Sequence, residues 1–435
     1  VAPLSAGCCD AAIVRCWAVG NSGVVDRDSR PSTGRRLRLR SIADLLPRLK
    51  PRDPVLVRAD LNLPIDSGGV TDTNRVEAIL PSLKALQRAG ARIVLISHLG
   101  RPATVDPAFS TAVVASSLQQ QLQSAVLHLP EIPAGAESIR QLDGLAPGGV
   151  MMLENLRFDP GEKANDAVFA RALATGCQYF VNDAFGCCHR SHASVDAVAD
   201  LLPSYAGFLI EREIEVLTRI RDDAQRPFWI VAGGAKVRDK LGVLGHLSGQ
   251  LDGIICGGGL ANTLLEGNGV DVGASATEPE ALSEVREVLL GGPELVLPVD
   301  FIAGDQLTRP TRTETVAVGS TPGEGMMLLD IGPETATLFC QKLEQARTIF
   351  WNGPLGVFET PEFRNGTATV AAFLAEHPGL VVVGGGDSAA AARQLGIADR
   401  FHHISTGGGA ALEFLEGTEL PGIAALERSA TGGVT

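Results

Sequence analysis

The chain has 435 residues, 45% of them apolar and 20% charged, and its 37 Lys and Arg against 50 Asp and Glu give a net charge of −13. Such a composition describes a folded globular chain of two or three domains. Its acidity excludes a broad electrostatic grip on nucleic acid, so any anionic ligand must be held by a local cluster. No apolar run reaches the ~18 residues needed to span a bilayer, and aromatic residues, at 5%, are too sparse for a base-stacking surface.

Residues 1–40 read as a non-core extension, rich in Arg and without sustained periodicity. From Ser41 onward, short Val- and Ile-rich runs alternate with longer segments of helical pattern, the rhythm of βαβ units. The predicted strands are Val55–Val57, Arg92–Ser97, Val150–Leu153, Tyr179–Val181, Phe228–Val231, Gly253–Cys256, Leu295–Val299, Thr348–Trp351, Leu380–Val383 and His403–Ile404. Ten such strands make two parallel sheets. A helix over Glu211–Ile220 marks the break between halves, and Glu211, Glu213 and Glu215 read as its solvated face.

The segments that follow the strands carry the chemistry, because open parallel sheets bind ligands at the carboxyl ends of their strands. In the first half those ends are charged: Arg58-Ala-Asp60-Leu-Asn62, His98-Leu-Gly-Arg101, Glu154-Asn-Leu-Arg157, and Asn182-Asp183 leading to His189-Arg190-Ser-His192. One arginine there reads equally as a surface ion pair. Several beside histidines point to a small polyanion, since guanidinium binds carboxylate and phosphate oxygens bidentately. Arg75, in Thr-Asp-Thr-Asn-Arg, is placed to start a helix and join them.

In the second half the ends are mostly glycine: Gly233-Gly234-Ala-Lys236, Gly257-Gly258-Gly259, Asn352-Gly353-Pro354, Gly384-Gly385-Gly386-Asp387 and Gly407-Gly408-Gly409. Any single glycine turn is ordinary. Four or more between strand and helix present N–H groups to a phosphate chain and favour a nucleotide. The spacing of Lys236 and Lys240 puts them on one face of a helix's first turns, pointing at phosphates, and Asp387 suits magnesium. The P-loop pattern is absent. Gly384–Ala389 fits a dinucleotide pattern, but the acid expected ~20 residues later falls among Gly407–Ala411. The eight cysteines show no C-x-x-C spacing and read as free thiols.

Taken in order, Val57-Arg-Ala-Asp-Leu-Asn-Leu-Pro64, Ser97-His-Leu-Gly-Arg-Pro102, Glu154-Asn-Leu-Arg-Phe158, Val181-Asn-Asp-Ala-Phe-Gly186 with His189–Ser194, Gly233-Gly-Ala-Lys-Val237 with Asp239-Lys240, Trp351–Glu359, Gly384–Ser388 and Ser405–Ala410 resemble the phosphoglycerate kinase family over roughly residues 41–426. The resemblance implies an α/β fold of two doubly wound, Rossmann-like parallel-sheet domains joined by a hinge helix. The expected segments are a 3-phosphoglycerate domain at 41–205, a hinge at 206–226, a nucleotide domain at 227–415 and a returning C-terminal segment at 416–435.

It further implies reversible transfer of a phosphoryl group between 1,3-bisphosphoglycerate with ADP and 3-phosphoglycerate with ATP, with Mg2+ as cofactor. Matched by motif, Asp60, Asn62, Arg75, His98, Arg101, Arg157 and Arg190 would bind 3-phosphoglycerate. Gly233, Gly234, Lys236, Lys240, Gly258, Asn352, Pro354, Glu359, Gly384, Gly385, Gly386, Asp387 and Ser388 would serve the nucleotide, with Asp387 on the metal. Arg75, Lys236, Lys240, Gly385 and Gly408 would surround the transferring group. A monomer in the cytoplasm is expected, without nucleic-acid or membrane partners; a transit peptide in residues 1–40 would instead place it in an organelle. Cys187-Cys188 and Arg238 depart from the family pattern. A catalytically silent nucleotide scaffold and a dinucleotide oxidoreductase are the competing readings.

Overall fold

The computed structural model describes residues 37–66, 69–131, 136–289 and 292–432. Most of the expected N-terminal extension, with Cys8, Cys9 and Cys16, lies outside the described residues. Two six-stranded parallel sheets organise the rest. In the first the spatial order is Val126–Leu129, Val150–Leu153, Arg92–Ile96, Pro54–Ala59, Tyr179–Asp183 and Ser204–Ala206. In the second it is Glu294–Val296, Gly253–Cys256, Phe228–Ala232, Thr348–Asn352, Leu380–Gly384 and His403–Ile404. Both are helix-flanked, and the central strands Pro54–Ala59, Phe228–Ala232 and Thr348–Asn352 are buried along their whole length. Burial on both faces is why they read as unbroken apolar runs.

All ten expected strands are present, and the parallel α/β class holds. Two edge strands, Val126–Leu129 and Ser204–Ala206, complete the first sheet. A three-stranded antiparallel sheet, Asp300–Gly304 with Thr313–Ala317 and Met327–Ile331, adds a layer not anticipated, as does the small hairpin Ile65–Asp66 with Gly69–Val70. No helix among the described residues is long and apolar enough to cross a membrane.

Helix Phe208–Asp222 joins the two lobes. Its Ile210, Val216, Leu217 and Ile220 enter a core shared with strands and helices of the second lobe, with Leu420, and with Ile423 and Leu426 of the C-terminal helix Pro421–Thr431. The entry of the described chain is tied to that helix: the Arg38 N–H donates to Glu427 Oε1 at 3.0 Å, and Arg40 Nη2 donates to Ser429 Oγ at 2.7 Å. Ser41 bridges to Ala206 at the sheet edge. Both ends of the described chain thus close on the first lobe.

Candidate active site

The rim of the first lobe is built on a buried arginine. Arg58, at the end of the central strand, has no exposed surface; its Nε donates to Ser194 Oγ at 2.9 Å and its Nη2 to His98 Nδ1 at 3.0 Å. The acceptor role of Nδ1 leaves the ring proton on Nε2. Burial, then Arg58, Arg157, Arg190 and Arg75, hold the His98 pKa well below the usual range, so the ring is neutral at pH 7. Arg58 is a wall, and the rim cations stand in front of it.

Asp60 pairs with Arg75, Oδ1 to Nη1 at 2.8 Å, and Asn62 Oδ1 accepts the Gly100 N–H at 2.7 Å. Arg75 is the second residue of helix Asn74–Arg88, as its motif predicted. Glu154, four of whose hydrogen bonds outweigh its burial, is held down to about 2. It accepts the Asn155 N–H at 2.8 Å, and Asn155 Oδ1 in turn accepts the Arg157 N–H at 3.1 Å, which aims that arginine. Arg157 Nη1 donates to the Gly100 carbonyl, yet its Nε is buried without a partner. Arg190 Nε lies 3.0 Å from His189 Nε2. Burial and then the neighbouring Arg190 push the Arg157 pKa down. A buried orphaned donor within a cluster of like charges is an arrangement that an anion would satisfy.

Two expected members stand apart. Arg101 is exposed. His192 turns toward the buried Glu162, Nδ1 to Oε1 at 3.6 Å, instead of joining the rim. Cys187 and Cys188 are buried free thiols, Cys187 pushed up to about 11 chiefly by burial. Ligand atoms of Asp60, His98 and Cys187 lie within 4.8 Å of one another, but Arg58 and Arg75 already engage them, so the cluster is the wall of an anion site.

On the second lobe three glycine-rich turns lock together through their backbones. Gly233 N–H donates to the Asn352 carbonyl at 3.0 Å, Gly234 to Pro354 at 2.6 Å, Gly258 to Leu355 at 3.1 Å and Gly259 to Gly234 at 3.0 Å. Such approach requires glycine: a Cβ at Gly233 would run into the Pro354 carbonyl, and Gly234 and Gly258 have φ of +82° and +55°. The Gly353 N–H donates to Ser388 Oγ at 2.6 Å, and the Asn352 amide lies beneath Gly384 and Gly385. Gly385, at φ +85°, opens helix Gly386–Gln394, whose second residue, Asp387, is exposed.

The two lysines are arranged differently from the expected helical pair. Helix Arg238–Leu247 begins after Lys236, which is exposed in the turn, while Lys240 is nearly buried and donates from Nζ to the Lys236 carbonyl at 2.9 Å. The Gly233–Gly234 turn extends through Val237 because Glu278 accepts the Val237 N–H at 3.2 Å. Burial lowers the Lys240 pKa; the nearby Asp239 and Asp387 oppose that shift. Glu359 is exposed, and the Arg238 side chain faces solvent.

Between the lobes runs a cleft of about 460 Å³ that brings Arg75 together with Gly386 and Gly408. Lys236 and Lys240 do not line it. The hinge helix meets the cleft through Glu213, which sequence reasoning placed on a solvated face. Glu213 is fully buried: its Oε2 accepts from Ser405 Oγ at 2.8 Å and lies 3.0 Å from His403 Nε2, and its Oε1 accepts the Thr406 N–H at 2.6 Å. Its signal was in the sequence, since Glu213 shares the stripe of Val216, Leu217 and Ile220 at helical spacing.

A cationic rim and a glycine-built loop cluster on opposite lobes are the two halves found in a kinase, a phosphotransferase of two parallel-sheet domains. A sequence profile of the family described as Phosphoglycerate kinase matches residues 50–418. The phosphoglycerate kinase of Rubrobacter xylanophilus is 48% identical over 389 residues, 89% of this chain and 98% of that protein. That of Thermus thermophilus is 45% identical over 395 residues, 89% and 100% of the two chains. Among solved structures, phosphoglycerate kinase from Coxiella burnetii superposes with a TM-score of 0.78 at 33% identity, covering 91% of this chain and all of that one. The Pyrococcus horikoshii enzyme gives 0.79 at 33% identity, with 87% and 97% covered. The chain belongs to the phosphoglycerate kinase family, which transfers a phosphoryl group reversibly between 1,3-bisphosphoglycerate and 3-phosphoglycerate with ADP and ATP.

Proposed function

We propose that this chain performs that transfer with 3-phosphoglycerate on the first lobe and the nucleotide on the second. The observation that carries the assignment of sides is the orphaned buried donor Arg157 Nε within a rim that also gathers Arg58, Arg75 and Arg190. Asp60, Asn62, Arg75, His98, Arg157 and Arg190 bind 3-phosphoglycerate, the cations on its phosphate and carboxylate, and Arg101 adds charge from the exposed edge. Gly233, Gly234, Gly258, Asn352, Pro354, Glu359 and Gly384–Ser388 receive the nucleotide, with Lys236 and Lys240 along its phosphates.

No strong general base is required, because the attacking carboxylate is already ionised at pH 7. Its oxygen forms a bond to the γ-phosphorus as the bond to the β-bridging oxygen breaks, and ADP leaves; the reverse reaction retraces these changes. Catalysis falls to positioning and charge neutralisation. Arg75 approaches from the first lobe, Lys236 from the second, and N–H groups near Gly385, Gly386 and Gly408 face the oxygens that gain charge. An exposed carboxylate beside a phosphate cradle fits magnesium, which prefers one or two carboxylates plus phosphate oxygens. Asp387 would hold it, and it would neutralise nucleotide charge there.

The boundaries 41–205, 206–226, 227–415 and 416–435 serve as working domains, with closure about helix Phe208–Asp222 bringing the substrates together and excluding water. One chain supplies both rims, which supports a working monomer, and the bacterial relatives support the cytoplasm. The test is turnover of 3-phosphoglycerate that requires both ATP and Mg2+, coupled to NADH oxidation through glyceraldehyde-3-phosphate dehydrogenase. Turnover is expected. A folded protein that MgADP stabilises but that turns nothing over would instead be a nucleotide scaffold.

A further inference from the structure

Asp72 and Arg393 face each other across the cleft from opposite lobes. Arg393 Nε lies 3.6 Å from Asp72 Oδ2, and the side chains are 33% and 32% exposed. Asp72 lies two residues before the helix that carries Arg75, and its Oδ1 accepts the Asn74 N–H at 2.9 Å, so the same carboxylate shapes that helix's first turn. Arg393 stands in the last turn of helix Gly386–Gln394, whose opposite end bears Asp387. Both residues line the cleft with Arg75 and Gly386.

We propose that Asp72 and Arg393 form an electrostatic latch that holds the lobes at the separation from which Arg75 reaches the nucleotide loop. The proposal rests on the assignment of phosphoryl transfer given above. The rims that must approach each other are both cationic, with Arg75, Arg157 and Arg190 on one side and Lys236 and Lys240 on the other, so closure brings like charges together. An opposite pair spanning the cleft offsets that repulsion where it arises. The pair is weak by construction: at one-third exposure it is screened by salt and worth at most about fivefold in an equilibrium. A latch that must open for product release in every cycle needs that weakness. Arg393 is therefore a positioning residue, acting through Asp72 on the helix that presents Arg75.

The test is a double-mutant cycle on the full chain with Asp72→Asn, Arg393→Gln and the double variant; the asparagine keeps the oxygen that caps Asn74. Arg393→Glu is the stronger perturbation. Turnover in the coupled assay is read beside small-angle scattering of the complex with MgADP and 3-phosphoglycerate. Each single variant is expected to lower kcat about two- to threefold with KM for both substrates within twofold. The double variant should be no slower than either single, and the scattering radius of the ternary complex should exceed that of the wild type in all three. Arg393→Glu should lose about fivefold, and in 0.5 M salt the wild type should fall toward the variants.

Wild-type kcat and wild-type ternary radius in the single variants would overturn the latch, as would a double variant whose loss is the product of the two. A wild type without turnover would overturn the assignment of function, and the scattering of the same four proteins would still decide whether the pair draws the lobes together.

Discussion

The Glu213 carboxylate, buried on the hinge helix, accepts the Thr406 N–H at 2.6 Å and so ties the helix between the lobes to the loop that leads into Gly407 and Gly408. The same carboxylate serves Ser405 Oγ and Thr406 Oγ1. Across this junction Phe185 of the first lobe packs edge-on against Phe414, with ring centroids 6.3 Å apart. The hinge helix is thereby tied directly to the cleft wall. Glu213→Ala would leave several buried donors without an acceptor, a loss of about 2–4 kcal/mol. Urea denaturation should show it, kcat should fall about tenfold or more, and Glu213→Gln, which keeps one acceptor oxygen, should recover part of both.

What the sequence made legible follows from burial. Eight of the ten strands it marked are covered on both faces or nearly so, because such strands write themselves as apolar runs; the edge strands Glu294–Val296 and His403–Ile404 are only partly covered and were read from their β-branched residues. Val126–Leu129 is half-exposed and carries His128, Ser204–Ala206 has only three residues, and Thr313–Ala317 shows one buried residue in five. These leave too little apolar pattern to read. The strand-end motifs were legible only together, because one arginine or one glycine turn is ordinary while several on the same rim are not. Glu213 was missed since a glutamate on a surface-length helix is usually solvated, and only its place in the apolar stripe betrayed it. The Lys236–Lys240 geometry was missed because a glycine turn delays the helix start to Arg238.

Arg157 illustrates the cost of a polyanion site. It sits buried among like charges, and its Nε has no partner. Arg157→Ala should raise KM for 3-phosphoglycerate by more than about tenfold, as expected for loss of a charge-assisted contact, while KM for ATP changes little. Without ligand the variant should melt at or above the wild-type temperature. Thermal melts with and without 3-phosphoglycerate check both halves: the ligand-induced rise should shrink sharply.

Asp183 makes stability depend on pH. Burial pushes its carboxyl up to about 7 from the ordinary 3.8, while its Oδ1 accepts the Leu209 N–H at 2.8 Å at the start of the hinge helix. Between those two values the folded chain keeps a proton that the unfolded chain has released. Its contribution is therefore complete below about pH 4, declines as pH rises and is gone above about 7. Asp183→Asn removes the titration. Denaturant unfolding at pH 5 and pH 8 should show a smaller loss for the variant than for the wild type, by at least about 1 kcal/mol.

Two glycines of the nucleotide cradle should respond oppositely to alanine. A Cβ at Gly233 meets the Pro354 carbonyl, whereas nothing lies within 4 Å of one at Gly386. Gly233→Ala should destabilise the second lobe by several kcal/mol, since backbone cannot give way cheaply. Gly386→Ala should stay within about 1 kcal/mol of the wild type in stability but lower kcat and weaken ATP, its methyl standing where phosphate approaches. Parallel melts and ATP titrations separate the two outcomes.

The most direct measurement is turnover of 3-phosphoglycerate with MgATP by the wild type and by Lys236→Ala, with the MgADP-induced rise in melting temperature recorded for each. Lys236 is exposed in its turn, so its loss should leave the fold intact. The account predicts that Lys236→Ala melts like the wild type and still responds to MgADP, yet loses at least about a hundredfold in kcat, the scale of one removed transition-state contact. A variant that turns over at the wild-type rate would contradict it.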